Sequence, residues 1–275
     1  MKGNKMKLQK IGLIGGTGMG DMLGWGNAIV TKKTARTPYG VVDYSVFPHT
    51  SPPIVMVSRH ENSGEYLLPH KLNWQAYMYV LGNKLENVDL ILTTSAVGTP
   101  YKEVGGFEQG DLIVPSDIID YVQDSYTFAR KGFSDSLAFH RPSTDLLCPH
   151  LRQALDNPED CNPPHLILAN SIKGPRFETP AEMKVRLADG VDVVGMTTAF
   201  PEAVLAGELG IPYAVLCGVT NIAPAEHNGM EVTEAMKVML PKMKVCILQA
   251  IDWLVENEHP DDCPCRKGRE ESVFC

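Results

Sequence analysis

The sequence has no long apolar run. No stretch approaches the roughly 20 residues that a membrane-spanning helix needs. The basic N-terminus, MKGNKMKLQKIGLIGG, meets glycines after only IGLI, which is too short for a secretory core. Basic charge is scarce as well: 25 Lys and Arg stand against 33 Asp and Glu, a formal net charge of -8. That argues against DNA or RNA as the main partner, because a phosphate backbone calls for a basic footprint; small anions can still bind at a local site. The seven cysteines are odd in number and widely spaced, in a chain long enough to bury its own core, so no disulfide framework is expected. Together these shortages predict a cytoplasmic, reducing location away from membranes.

What is present is the composition of an ordinary globular protein, 44% hydrophobic and 21% charged over 275 residues, in one large α/β domain or two small ones. Short β-type runs alternate with helical segments. The runs lie near residues 11, 53, 89, 111, 166, 191 and 213, and none alternates cleanly between apolar and polar, as expected for strands covered on both faces. This pattern predicts a central, largely parallel or mixed sheet. Helices are predicted over 70–84, 143–156, 179–190, 200–210 and 231–257, the last with a kink or short first turn at Pro241. Thr179-Pro180-Ala181-Glu182 reads as a capped start with Gly190 as its stop. No linker divides residues 1–258, and the polar, turn-rich 259–275 is expected to be a flexible tail.

Six segments carry groups suited to chemistry. Gly15-Gly16-Thr17-Gly18 follows a buried run, where glycines allow a tight turn and bring N–H groups close to an anion; the lysine and spacing of a P-loop are missing, as is a full dinucleotide fingerprint. Ser58-Arg59-His60 ends a strand with a guanidinium fork suited to phosphate or carboxylate, where open α/β sheets place ligands. Thr93 to Thr99 offers hydroxyls after another buried strand. In Gly174-Pro175-Arg176-Phe177-Glu178-Thr179, Phe177 can stack on a flat base and Glu178 can accept from ring N–H groups. Val194-Gly195-Met196-Thr197-Thr198, with Pro201-Glu202 after it, and Val219-Thr220-Asn221 end very apolar strands in polar residues. Taken singly, each also reads as a turn, a surface charge or a core residue.

In order along the chain, GGTG, RH, NWQA, SAVGT, EQGDLIVPSDIID, GPRFET, VGMTTAFPEAVLA and VTN resemble the purine nucleoside phosphorylase superfamily, and within it the methylthioadenosine phosphorylase branch. The resemblance runs from about residue 10 to 255. It implies a single α/β domain with a mixed, barrel-like sheet flanked by helices, assembled as a homotrimer or homohexamer. It also implies phosphate attack on C1' of a purine nucleoside, with no cofactor or metal and with phosphate as co-substrate. Carried over by position, Thr17, Arg59, His60, Ser95 and Thr197 would bind phosphate and Met196 would face the ribose. Phe177, Glu178, Asn221 and Ala223 would form the base site, with Asn221 and His60 closest to the chemistry.

Several positions bear on which nucleoside is taken. Methylthioadenosine phosphorylases usually place Asp after the Thr of the VTN strand and again two residues on, where this chain has Asn221 and Ala223. An amide N–H suits a 6-oxo group and N7, whereas a carboxylate would repel O6, so hypoxanthine or guanine is the expected base. At the start of the last helix, Val232 stands where mammalian-type enzymes for inosine and guanosine have a histidine. Met230, Val232 and Met236 would make the 5' pocket apolar, suiting a methylthio group as well as or instead of a hydroxyl, with His227 near enough to restore a hydroxyl contact. The loop 61–68 carries an extra residue and no second His, and Lys173 replaces the common Glu or Gln.

Other readings remain. Adenine-type methylthioadenosine phosphorolysis is the nearest, followed by an inactive nucleoside binder. A metal or redox site on His259, Cys263, Cys265 and Cys275 is disfavoured because C-x-C lacks the usual C-x2-C spacing and falls in the expected tail.

Overall fold

The structure is a computed structural model that describes residues 5–16, 29–62, 64–82, 85–100, 106–128, 138–139, 142–156, 166–196, 199–223, 229–260, 263–266 and 273–274. The short strand β1 (Lys5–Met6) precedes β2 (Ile11–Gly15), a hairpin of β3 (Thr31–Thr37) and β4 (Gly40–Phe47), and β5 (Ile54–Ser58). A small hairpin, β6 (Glu61–Asn62) and β7 (Glu65–Tyr66), leads to helix α1 (Trp74–Leu81) and the long strand β8 (Leu90–Pro100). Then come β9 (Leu112–Ile113), β10 (Pro115–Asp120), β11 (Ala138–Phe139), α2 (Pro149–Asp156), β12 (Leu166–Ile172), α3 (Pro180–Ala188) and β13 (Val193–Met196). The chain continues through α4 (Phe200–Leu209), β14 (Tyr213–Ala223), α5 (Gly229–Glu256), β15 (His259–Pro260) and β16 (Val273–Phe274).

Ten strands form one mixed sheet in the order β10-β12-β13-β8-β2-β5-β4-β3, with β14 pairing both β8 and β9. The pairs β2–β5, β2–β8, β8–β14, β10–β12 and β12–β13 are parallel, while β13–β8 and β9–β14 are antiparallel. Because β9 runs on into β10 through Val114, the strands β8, β14, β9/β10, β12 and β13 close into a ring. This is the barrel-like single domain that the resemblance implied.

Both faces of the sheet are covered, which explains why β2 reads as an unbroken buried run. One large core cluster takes in α1 and α4, and the other takes in α2 and α5. Each buried Leu, Ile or Val in these clusters contributes roughly 1.5–3 kcal/mol relative to exposure. α3 begins at the expected place: the Thr179 side chain accepts from Glu182 N and Glu182 answers to the Thr179 backbone, with Pro180 in the first turn. α5 runs on through Pro241, whose exposed position keeps the ring away from the core.

Three expectations are corrected here. The hairpin β3–β4 was not foreseen, because β3 (TKKTART) is polar and mostly exposed and carries no apolar signal. The predicted helix at 143–156 begins only at Pro149. The expected boundary at 258/259 does not separate a loose tail from the domain. His259 and Pro260 pair with Met6 and Lys5, His259, Cys263 and Cys265 are buried, and β16 pairs with β11. Polar composition misled because the segment is held by strand pairing and by cysteines and a histidine turned inward.

Candidate active site

A cavity of about 330 Å³ opens at a fork in the sheet. β8 pairs with β2 as far as Thr93 and meets β13 only at Gly98, so between those points its edge is free to line a pocket with Ala96, Val97 and Gly98. The C-terminal ends of β2, β5 and β13 converge here, as parallel α/β sheets favour at a switch in strand neighbours. Gly16, Arg59 and Met196 bring those three ends to the wall. The turn after β2 is tied down where Gly16 N donates to Thr94 Oγ1 at 3.2 Å.

At this end the structure revises the reading of Arg59. Its guanidinium is buried and donates from Nε and Nη2 to Glu202 at 2.6 and 3.0 Å, from Nη2 to Thr93 Oγ1 at 2.8 Å and from Nη1 to the Thr94 carbonyl at 2.9 Å. That commits four of its five N–H groups, so it is a tethered cation beside the cavity rather than an open fork. Glu202 is wholly buried and also accepts from Tyr77 and Tyr213, each at 2.7 Å. Burial alone would raise its pKa, but the Arg59 charge and the hydrogen bonds from Arg59, Tyr77 and Tyr213 more than offset this and hold it below the ordinary value. The sequence names Arg59 and Glu202 in separate segments but does not show that they meet. The one signal of this knot is a carboxylate in the otherwise apolar start of FPEAVLAGEL, and nothing in the sequence links Glu202 to an arginine 143 residues away.

His60 lies against Arg59, with Nδ1 donating to the Leu67 carbonyl at 2.8 Å and its ring stacked on Tyr66 at 5.3 Å. Burial, then the Arg59 charge, brings its pKa down to about 4. The imidazole is therefore neutral near pH 7, and its Nε2 carries the lone pair. The unusual loop 61–68 forms the β6–β7 hairpin that sets Tyr66 on this ring and on the cavity wall.

The opposite wall carries the base-type residues. Phe177 and Glu178 line it, and among the described residues no hydrogen bond holds the Glu178 carboxylate. A register shift in β14 between Val219 and Asn221 turns both Thr220 and Asn221 toward the cavity, as bulges beside functional sites commonly do. Asn221 Oδ1 accepts from Thr220 Oγ1 at 2.9 Å, leaving Nδ2 with only a long 3.4 Å contact to the Ile222 carbonyl. Met196 sits between the two walls. Gly174 has a positive φ of 77°, and a Cβ there would come within 2.5 Å of Met196 Sδ, so the loop before Phe177 passes this close only as glycine.

Of the remaining expected residues, Val232 and Met236 line the apolar end. Met230 does not: it is 74% exposed, on the outside of α5. Ala223 is buried outside the cavity wall, packed with Val194 and Met183, so it shapes the site by bringing no carboxylate. Ser95 is fully buried in β8 and does not line the cavity, which β8 reaches with Ala96 to Gly98. Thr17, Thr197 and His227 lie outside the described residues. Lys173 pairs with Asp124 at 2.7 Å, which accounts for its charge.

Residues 10–252 match the family described as Phosphorylase superfamily. The chain belongs to that superfamily. It is thus an enzyme of the nucleoside phosphorylase type, a pentosyltransferase. Among its superfamily relatives, a probable S-methyl-5'-thioinosine phosphorylase from Methanopyrus kandleri is 32% identical over 271 residues, covering 96% of this chain and 98% of that one. A 6-oxopurine nucleoside phosphorylase from Pyrococcus furiosus is 32% identical over 244 residues, covering 86% and 88%. In fold, the chain matches a crystal structure of a mutant adenosine/methylthioadenosine phosphorylase from Schistosoma mansoni in complex with methylthioadenosine. That match has a TM-score of 0.82 and 24% identity, covering 96% of this chain and 98% of the other.

Proposed function

We propose that this phosphorylase cleaves 6-oxopurine nucleosides with inorganic phosphate, releasing hypoxanthine or guanine and a pentose 1-phosphate. The observation that carries the reading is the pair of groups on one wall: the Asn221 amide donor, aimed in by the β14 bulge, and the Glu178 carboxylate. A 6-oxopurine offers O6 and N7 as acceptors and N1–H as a donor, which matches an amide opposite one edge and a carboxylate opposite the other. As the glycosidic bond breaks, charge grows on the purine, and the Asn221 N–H is placed to stabilise it. An adenine, with a 6-amino donor and an unprotonated N1, would leave both groups mismatched.

Phosphate would sit at the other end, under Gly16, the remaining Arg59 N–H and His60. Neutral His60 accepts at Nε2, so it would orient a protonated phosphate oxygen or a sugar hydroxyl instead of supplying positive charge. Thr17 and Thr197 complete this end in the reading by resemblance. The chemistry asks for no cofactor beyond phosphate, since a positioned nucleophile and a stabilised leaving group suffice. Within the 6-oxopurine class, Val232 and Met236 on the wall favour a 5'-methylthio substituent over a hydroxyl. 5'-Methylthioinosine is therefore the preferred member of the class.

A homo-oligomer fits the exposed apolar side chains of Met230, Val238 and Val245, which recur at seven- or eight-residue intervals along one face of α5. Among the described residues no helix is long and apolar enough to cross a membrane, and no disulfide joins the five cysteines described, which suits a cytoplasmic place. The test is phosphate-dependent release of base from inosine, guanosine, adenosine, methylthioadenosine and methylthioinosine, with a control lacking phosphate. Release confined to the 6-oxopurines, fastest from methylthioinosine, is expected. Preferential cleavage of methylthioadenosine would overturn the roles given to Asn221 and Glu178.

A further inference from the structure

Far from the cavity, Cys148, His259, Cys263 and Cys265 converge with their ligand atoms all within 4.8 Å of one another. All four residues are buried, and none lines the cavity. Cys148 stands just before α2, while the other three lie within the nine residues that follow α5. Cys148 Sγ lies 3.7 Å from Cys263 Sγ and 3.2 Å from His259 Nε2, and Cys265 Sγ lies 4.0 Å from the same nitrogen. In a tetrahedral zinc site with bonds of about 2.0–2.3 Å, donor atoms stand roughly 3.5–3.8 Å apart. Three of these separations are near that range. The fourth, Cys263 to Cys265 at 2.7 Å, is shorter, and these two sulfurs would have to move apart to share an ion.

The surroundings are those of a ligand set. His259 Nδ1 donates to the Pro260 carbonyl at 3.0 Å, which fixes the tautomer and leaves the Nε2 lone pair facing the sulfurs, as second-shell carbonyls do for metal-bound histidines. The turn is held by Cys263 N to the Pro260 carbonyl at 3.2 Å, and Arg266 anchors it to the Asp89 carbonyl at 2.9 Å.

We propose that Cys148, His259, Cys263 and Cys265 bind one zinc ion in a closed, structural site that staples the segment after α5 to the start of α2. Three soft thiolates and an imidazole select zinc over hard cations, and four protein donors leave no position open for a substrate. The ion joins residues 111 apart in sequence, so its binding energy becomes folding energy. The proposal is independent of the substrate reading, since the two sites share no residue.

The test begins with the full-length protein purified under reducing conditions, its zinc content measured by plasma mass spectrometry. About one zinc per chain is expected, and refolding with cobalt(II) should give the thiolate-to-cobalt charge-transfer band and the visible bands of a tetrahedral centre. Cys265→Ser and His259→Gln should each weaken metal retention by 10-fold or more against a competing chelator, while Cys246→Ser, a buried cysteine outside the cluster, should not. Protein free of metal that gives no cobalt spectrum would overturn the proposal, as would a Cys263–Cys265 disulfide found in unreduced peptides. Full retention of zinc in both ligand variants would overturn it equally. Because the first measurement needs no variant, poor folding of a mutant leaves the proposal open to refutation.

Discussion

At the anion end of the cavity, Arg59 and Glu202 satisfy each other and two tyrosines, and nearly every donor and acceptor is spent inside the chain. At the base end, Glu178 has no hydrogen-bond partner among the described residues and Asn221 keeps an amide N–H in reserve. The first arrangement builds a fixed field: a buried cation held by a buried carboxylate, with Tyr77 from α1 and Tyr213 from β14 locking both elements to α4. The second leaves polar groups whose desolvation is compensated only when a matching ligand arrives. Rigidity and recognition are thus divided between two ends of one pocket.

The sharpest way to break this contrast is to remove half of the knot. Glu202→Ala should destabilise the fold by about 3–5 kcal/mol in urea unfolding, because Arg59 is left charged, buried and unpaired. Loss at the base end should leave stability nearly unchanged. If Glu178→Ala costs as much as Glu202→Ala, the division fails.

The next effect is on pH. His60 titrates near 6.5 when unfolded and near 4 when folded, so between those values the unfolded chain binds a proton that the folded chain does not. Stability from this group is full above about pH 6.5 and falls as the pH drops toward 4, by up to about 3 kcal/mol. His60→Gln should remove that part of the slope in unfolding measured across this range. A slope unchanged in the variant would place the titration elsewhere.

Asn221→Asp should move the ratio of adenine to hypoxanthine nucleoside kcat/KM upward by about 10- to 100-fold, the value of one mismatched hydrogen bond in a closed site. The smallest change is expected from Val232→His, which should shift the preference between methylthioinosine and inosine by about 10-fold toward the hydroxyl. Both follow from steady-state rates on the paired nucleosides, and an unmoved ratio would remove the residue from its place in the specificity argument.

Much of this was legible in the sequence where the signal was local. β2, β5, β8 and β14 announced themselves as buried runs, α3 by its Thr-Pro start, and the cavity residues Arg59, His60, Phe177, Glu178 and Asn221 by their places after strands or turns. What stayed hidden depended on partners distant in sequence. Glu202 looked like one acid in an apolar helix until Tyr77, Tyr213 and Arg59 surrounded it. Cys263 and Cys265 looked like chance thiols because Cys148, more than a hundred residues earlier, completes their set. β3 escaped for a different reason: an edge strand facing water needs no apolar pattern.

The bulge in β14 gives the base pocket an unusual kind of heredity. Thr220 and Asn221 face the cavity together because the strand carries one residue more than its neighbour β8 can match. Loss of a single codon at that point would restore plain alternation and exchange inside for outside along the strand's last residues. Base preference in such a scaffold can therefore diverge through the counting of residues as readily as through their replacement, and relatives aligned letter by letter across this stretch would conceal it.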